Sequence, residues 1–187
     1  MNFFDWERDR KERILCLEDS GKAVTYKEAE IFAKQMKAVM ETGSLIFILC
    51  ENTSGPLLFY LASLKNKVVP LLLDGKTDEE KLKRLDEIYR PDFIAAPRRR
   101  KIEGIPAENI WQEYDYCLYE RRKKEKRKLH PDLALLLTTS GSTGSPRLVR
   151  QSRKNISSNA AAIAGYLNIG REERPVTALP MNYTYGL

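Results

Sequence analysis

Hydrophobic positions recur along this chain with two different periods. Ala29, Phe32, Ala33, Met36, Val39 and Met40 fall three and four apart, and Thr25-Tyr26-Lys27-Glu28 before them has the S/T-x-x-E form of a capping box. A helix is therefore predicted from there to near Gly43. Leu45 to Cys50 is a continuous apolar run, the pattern of a strand covered on both faces. Asn52-Thr53-Ser54 offers N-caps for a helix through Leu57, Leu58, Leu61 and Leu64. Val68 to Leu73 reads as the next strand, with Pro70, which has no ladder donor, pointing to an edge or a strand start. Thr77-Asp78-Glu79-Glu80 is a second capping box, opening a helix with Leu82, Leu85 and Ile88 inward and Pro91 as its stop. Short strands are predicted at Asp92 to Ala96, Tyr114 to Tyr119 and Leu133 to Leu137, and helical spacing returns through Ile156, Ala160, Ile163, Ala164 and Leu167.

Strands alternating with helices indicate βαβ units, so the fold class is α/β with a largely parallel sheet flanked by helices. The stretches Arg98 to Asn109 and Glu120 to His130 read as exposed connections. There is no internal repeat and no low-complexity linker. The 187 residues suffice for one hydrophobic core.

Composition narrows the function classes. No apolar run approaches the roughly 20 residues of a membrane helix, so no membrane span is expected. The first residues are acidic without an apolar core, unlike a signal peptide, which gives a cytoplasmic location. Cys16, Cys50 and Cys117 are odd in number and widely spaced, as reduced and mostly buried thiols would be. His130, the only histidine, sits beside Pro131 and reads as a loop residue rather than a metal ligand. The net charge of +6 is concentrated in two tracts, Arg98 to Lys101 and Glu120 to His130, leaving the rest slightly acidic. Neither tract has interleaved aromatics, so both read as solvated loops or an exposed helix face, which argues against a nucleic-acid partner.

The chemistry is concentrated after the strand at Leu133. Thr138-Thr139-Ser140-Gly141-Ser142-Thr143-Gly144-Ser145-Pro146-Arg147 is almost entirely hydroxyl-bearing or glycine, closed by proline and a cation. Gly141 and Gly144 allow positive φ and close backbone approach, so successive N–H groups can converge on phosphate oxygens. Hydroxyls add donors, and Arg147 adds a charged fork. On composition alone, a Ser/Gly-rich surface turn fits equally well. Neither a Walker A motif nor a dinucleotide G-x-G-x-x-G can be laid on these residues. The preceding strand would aim the segment out of the sheet's carboxyl edge, where open α/β sheets place ligands.

Thr138 to Arg147 resembles the phosphate-binding signature of the superfamily of acyl-CoA synthetases, nonribosomal-peptide adenylation domains and luciferases, the AMP-forming adenylating enzymes. Weaker marks follow the family's order. Val24-Thr25-Tyr26-Lys27-Glu28 is similar to its "TY-x-E" helix start. Leu61 to Leu73 is similar to its "L-K-x-G-x-x-x-x-P-L" segment, with Asn66 in the glycine's place. Ala178 to Leu187 is similar to its "LP-x-x-H-x-x-G" segment beside the acyl pocket. Arg147 stands where the family usually has lysine, and Tyr183 where many members have histidine.

The resemblance implies the N-terminal portion of the large domain of an adenylating enzyme, residues 1–187 being a partial, truncated AMP-binding domain. It implies ATP with Mg2+, whose ligands lie outside this chain, and a carboxylic acid activated as acyl-AMP with release of pyrophosphate. The acceptor would be coenzyme A or a carrier-protein pantetheine. Thr139, Ser140, Gly141, Ser142, Thr143, Gly144 and Arg147 would bind the ATP phosphates, and Tyr183 is the candidate acyl-pocket residue. The family's "Y-G-x-T-E" segment, ribose-holding aspartate and lid lysine are not in these residues, so the chain by itself is expected to have no catalytic residue and no activity. A rival of another class is a non-catalytic module that keeps the fold and uses the basic tracts to bind a protein or nucleic acid.

Overall fold

A computed structural model describes residues 12–124, 128–138, 148–170 and 172–183. The apolar run Leu45–Cys50 forms β3, buried at every position and central in a seven-stranded sheet. The remaining strands of that sheet are β4 (Val69–Asp74), β5 (Phe93–Pro97), β6 (Ala107–Glu113), β7 (Tyr116–Arg121), β8 (Leu133–Thr138) and β9 (Leu148–Ser152), in the spatial order β6-β7-β5-β3-β4-β8-β9. β5, β3, β4 and β8 run parallel, as continuous apolar runs predict. Antiparallel strands extend both sides, β7 and β6 beyond β5, and β9 beyond β8. A separate two-stranded ribbon pairs β1 (Ile14–Leu17) with β2 (Ala23–Thr25).

Side-chain alternation along the strands divides the core into two layers. Ile46, Ile48, Leu72, Phe93 and Leu118 face α1 (Tyr26–Val39) and α2 (Ser54–Asn66). Leu45, Phe47, Leu49, Leu71 and Ile94 face the opposite way, with Leu82 and Leu85 of α3 (Glu79–Tyr89). Each fully buried Leu, Ile or Phe contributes on the order of 1.5–3 kcal/mol, which makes this two-sided burial the main stabilising term. Asp92 pins the amino ends of β3 and β5 together: its Oδ2 accepts from the Leu45 amide at 2.8 Å, and its own amide donates to the Leu45 carbonyl at 2.8 Å.

The capping box at Thr25 is present in full. The Thr25 side chain accepts from the Glu28 amide, and the Glu28 carboxylate accepts from the Thr25 amide at 2.7 Å. Several expectations need correction. In the second box the N-cap is Asp78 rather than Thr77, and its carboxylate accepts from the Lys81 amide. Ile88 is 55% exposed rather than inward, because the sheet contact of this short helix is made by Leu82 and Leu85. Of the two placements expected for Pro70, the strand start holds, since it is the second residue of β4, and the sheet edge does not, since β4 lies between β3 and β8. The Val69 amide donates to Ser44 on the β3 side, so the Pro70 nitrogen faces β8, and the β4–β8 ladder begins only at Leu71. The missing N–H therefore costs no ladder bond.

At the end of α2 the left-handed residue is Lys67, φ 57°, one position after Asn66. Asn66 instead donates through Nδ2 to the Ala33 carbonyl, tying α2 to α1. The strand expected at Tyr114 starts at Tyr116, because Tyr114 and Asp115, φ 50° and 57°, form the two-residue hairpin between β6 and β7. Positive φ at both central residues matches the twist of the flanking strands. The first basic connection accordingly ends before Ala107, and Glu120 and Arg121 belong to β7. Finally, β9 stands between β8 and the last helix, α4 (Arg153–Tyr166), none of whose residues is fully buried.

Candidate functional site at the carboxyl edge of the sheet

Parallel strands end on the same side, so Cys50 of β3, Asp74 of β4 and Thr138 of β8 mark one edge. Thr138 pairs with Leu148, the first residue of β9. The nine residues joining that pair lie outside the described residues, and with them the predicted phosphate ligands Thr139, Ser140, Gly141, Ser142, Thr143, Gly144 and Arg147. The ends from which they emerge are thus on the edge that sequence reasoning selects.

Around that edge the chain is tightly tied. Gly75 follows β4, and its amide donates to the Cys50 carbonyl at 2.8 Å. A Cβ on Gly75 would stand 2.7 Å from that carbonyl oxygen, so only glycine permits the approach. Arg100 donates to the carbonyls of Gly75, at 2.5 Å, and Thr77. Arg99 pairs with Glu51. In the second basic tract Arg121 pairs with Asp86 in a nearly dry position, and the Lys124 ammonium lies 4.6 Å from the centre of the Phe93 ring. The basic residues expected in solvated loops therefore include three, Arg100, Arg121 and Lys124, that bond to or pack on the fold. That engagement weakens the rival reading of a basic binding surface.

Tyr183 is half exposed, 51%, at the end of a segment that returns to the same edge. Its amide donates to the Pro180 carbonyl at 3.0 Å, and Met181 beside it is buried. The Asn52 side chain contacts this segment at three backbone atoms. Sequence reasoning gave Asn52 only a capping role, since its partners lie more than a hundred residues away. Thr53 is the N-cap of α2 but makes no side-chain cap bond. Glu18 caps the helix instead, its Oε1 accepting from the Ser54 amide at 2.7 Å. Burial opposes ionisation of Glu18, but hydrogen bonds from Ser54 and Ser20 hold its carboxyl below the usual range.

Burial pushes the Cys50 thiol up to about 12, so this thiol at the edge is a packing group rather than a nucleophile. Burial likewise raises the Tyr116 phenol. Among the described residues no three His, Cys, Asp or Glu side chains gather to hold a metal ion. No helix among them is long and apolar enough to cross a membrane.

Solved structures share this architecture. ATP-bound MatB from Rhodopseudomonas palustris matches with a TM-score of 0.72 at 19% identity, covering 99% of this chain and 41% of that one. O-succinylbenzoate coenzyme A synthetase (MenE) from Bacillus subtilis in complex with AMP matches with a TM-score of 0.71 at 22% identity, covering 95% and 48%. A double mutant of the latter enzyme, bound with its product analogue OSB-NCoA, matches with a TM-score of 0.70 at 24% identity, covering 95% and 38%. This chain thus spans less than half the length of each. A family model described as AMP-binding enzyme matches residues 3–187.

Proposed function

This chain belongs to the AMP-binding enzyme family, and from that premise we propose that it is the N-terminal part of an ATP-dependent ligase that activates a carboxylic acid as acyl-AMP. The acid's carboxylate oxygen attacks the α-phosphorus and pyrophosphate leaves. The acyl group then passes to a thiol, of coenzyme A or of a carrier-protein pantetheine, as the acyl–phosphate bond breaks and AMP leaves. The observation carrying this reading is the pairing of Thr138 with Leu148, which brings both ends of the glycine-rich segment to the sheet's carboxyl edge.

In this reading Thr139 through Thr143 and Gly144 offer backbone amides and hydroxyls to the β- and γ-phosphates, and Arg147 adds a charge to them. They stabilise the leaving pyrophosphate, where positioning and charge account for most of the rate. Tyr183 lines the acyl pocket. The described residues supply no cluster of His, Cys, Asp or Glu to hold Mg2+. The reading places the protein in the cytoplasm, in keeping with three free cysteines.

Carboxylate-dependent exchange of labelled pyrophosphate into ATP tests it. The complete polypeptide carrying this chain is assayed against acetate, benzoate and octanoate, with and without coenzyme A. Exchange that requires one of the acids is the expected result. Binding of RNA without any exchange would favour the non-catalytic rival.

A further inference from the structure

We infer that Asn52 is a positioning residue for the acyl pocket: its carboxamide clamps residues 177–181 to the end of β3 and so sets where Tyr183 stands. This deepens the adenylating reading above and rests on it. Asn52 lies two positions beyond the last residue of β3, between the sheet edge and α2. Its Nδ2 donates to the carbonyls of Thr177, at 3.4 Å, and Leu179, at 3.1 Å. Its Oδ1 accepts from the Met181 amide at 3.3 Å.

The spacing of those partners is what gives the contact meaning. Thr177, Leu179 and Met181 are alternate residues, and all three direct a backbone group at the same side chain. A carboxamide carries the donor and acceptor of a peptide unit. Asn52 therefore offers residues 177, 179 and 181 both kinds of backbone partner from a single side chain. Two of the bonds, at 3.4 and 3.3 Å, are longer than the usual N–H···O range and the third, at 3.1 Å, is within it, so it is their convergence from one side chain that ties the segment.

What the clamp positions is equally specific. Residues 172–180 are exposed, Met181 is 6% exposed and packed in the layer that holds α1 and α2, and Tyr183 is again half exposed. Clamp and Met181 together anchor the segment at successive points, and the turn from Pro180 to Tyr183 then presents the tyrosine at the edge.

The discriminating variant is Asn52→Asp, which keeps an acceptor for Met181 but removes both donors and sets a carboxylate against two carbonyl oxygens. In the complete polypeptide, with whichever of acetate, benzoate and octanoate supports exchange, N52D is expected to raise the acid KM about tenfold while the ATP KM stays within about twofold. N52Q, which retains the carboxamide, should fall between N52D and the wild type. Hydrogen exchange at the amides of Met181 and Tyr183 should accelerate in N52D. Equal changes in both KM values, no change in either, or unaltered amide exchange would overturn the inference. A wild type that exchanges with none of the acids would instead overturn the functional reading, and the amide measurement then decides the clamp by itself.

Discussion

The phenolic hydroxyl of Tyr116 donates to the carbonyl of Leu49 at 2.8 Å and accepts from the amide of Glu51 at 3.2 Å. Tyr116 belongs to β7, which is separated from β3 by β5. The β3–β5 ladder ends with Ile48 opposite Ala95. Beyond that point the backbone of β3 has no strand partner on this side, and the tyrosine replaces the missing ladder. Tyr116→Phe leaves a buried carbonyl and a part-buried amide unpaired, so it should cost about 1–3 kcal/mol in urea unfolding. A loss below about 0.5 kcal/mol would show that water satisfies both groups.

The same ring fixes the identity of Gly55 in the first turn of α2. A Cβ there would stand 2.4 Å from Cδ2 of Tyr116 and 2.8 Å from the carbonyl of Tyr114. Glycine within a helix normally gains from replacement by alanine, yet overpacking typically costs about 1–3 kcal/mol. Gly55→Ala should therefore lower the thermal midpoint, and an unchanged or raised midpoint would mean that the β6–β7 hairpin shifts freely.

Asp86 on α3 and Arg121 on β7 form an ion pair with side chains only 7% and 11% exposed. Burial pushes the Asp86 carboxyl up against the opposing pull of Arg121. Asp86→Ala would strand the guanidinium in a dry site and should cost about 3–5 kcal/mol. Replacing both partners with leucine and methionine should recover most of that loss in denaturant titrations. A D86A variant as stable as the wild type would show that Arg121 escapes to solvent.

Hydrogen bonds from the Thr25 amide and hydroxyl hold the Glu28 carboxyl below its ordinary value of 4.5. Because the folded value is the lower one, the stabilisation is present above the ordinary value and is lost as the pH falls through the folded value. Glu28→Ala should cost about 1 kcal/mol near pH 7. The difference from the wild type should shrink towards about pH 3, measured as urea midpoints at both pH values. A pH-independent difference would mean that the ionised carboxylate contributes nothing to the cap.

The central sheet was legible because burial on both faces leaves an apolar run that no periodicity needs to explain, as in Leu45–Cys50 and Leu133–Thr138. Helix starts were legible where the cap is local, at Thr25, and displaced by one residue where Thr77 and Asp78 compete. The strands Ala107–Glu113 and Leu148–Ser152 were missed because they lie at the sheet's edges with no fully buried side chain. Long-range contacts left no trace in the pattern. Glu18 caps a helix that starts 36 residues later, and Asn52 meets a segment more than 120 residues on. For the site, the residue types from Thr139 to Arg147 indicated anion chemistry, and the family resemblance gave it a substrate.

The central claim is that this segment binds the phosphates of ATP, and Arg147→Ala in the complete polypeptide tests it most directly. In carboxylate-dependent ATP–pyrophosphate exchange, loss of a charge-assisted contact should raise the ATP KM about tenfold and leave the acid KM within about twofold. An equal rise for both substrates, or an unchanged ATP KM, would contradict the account.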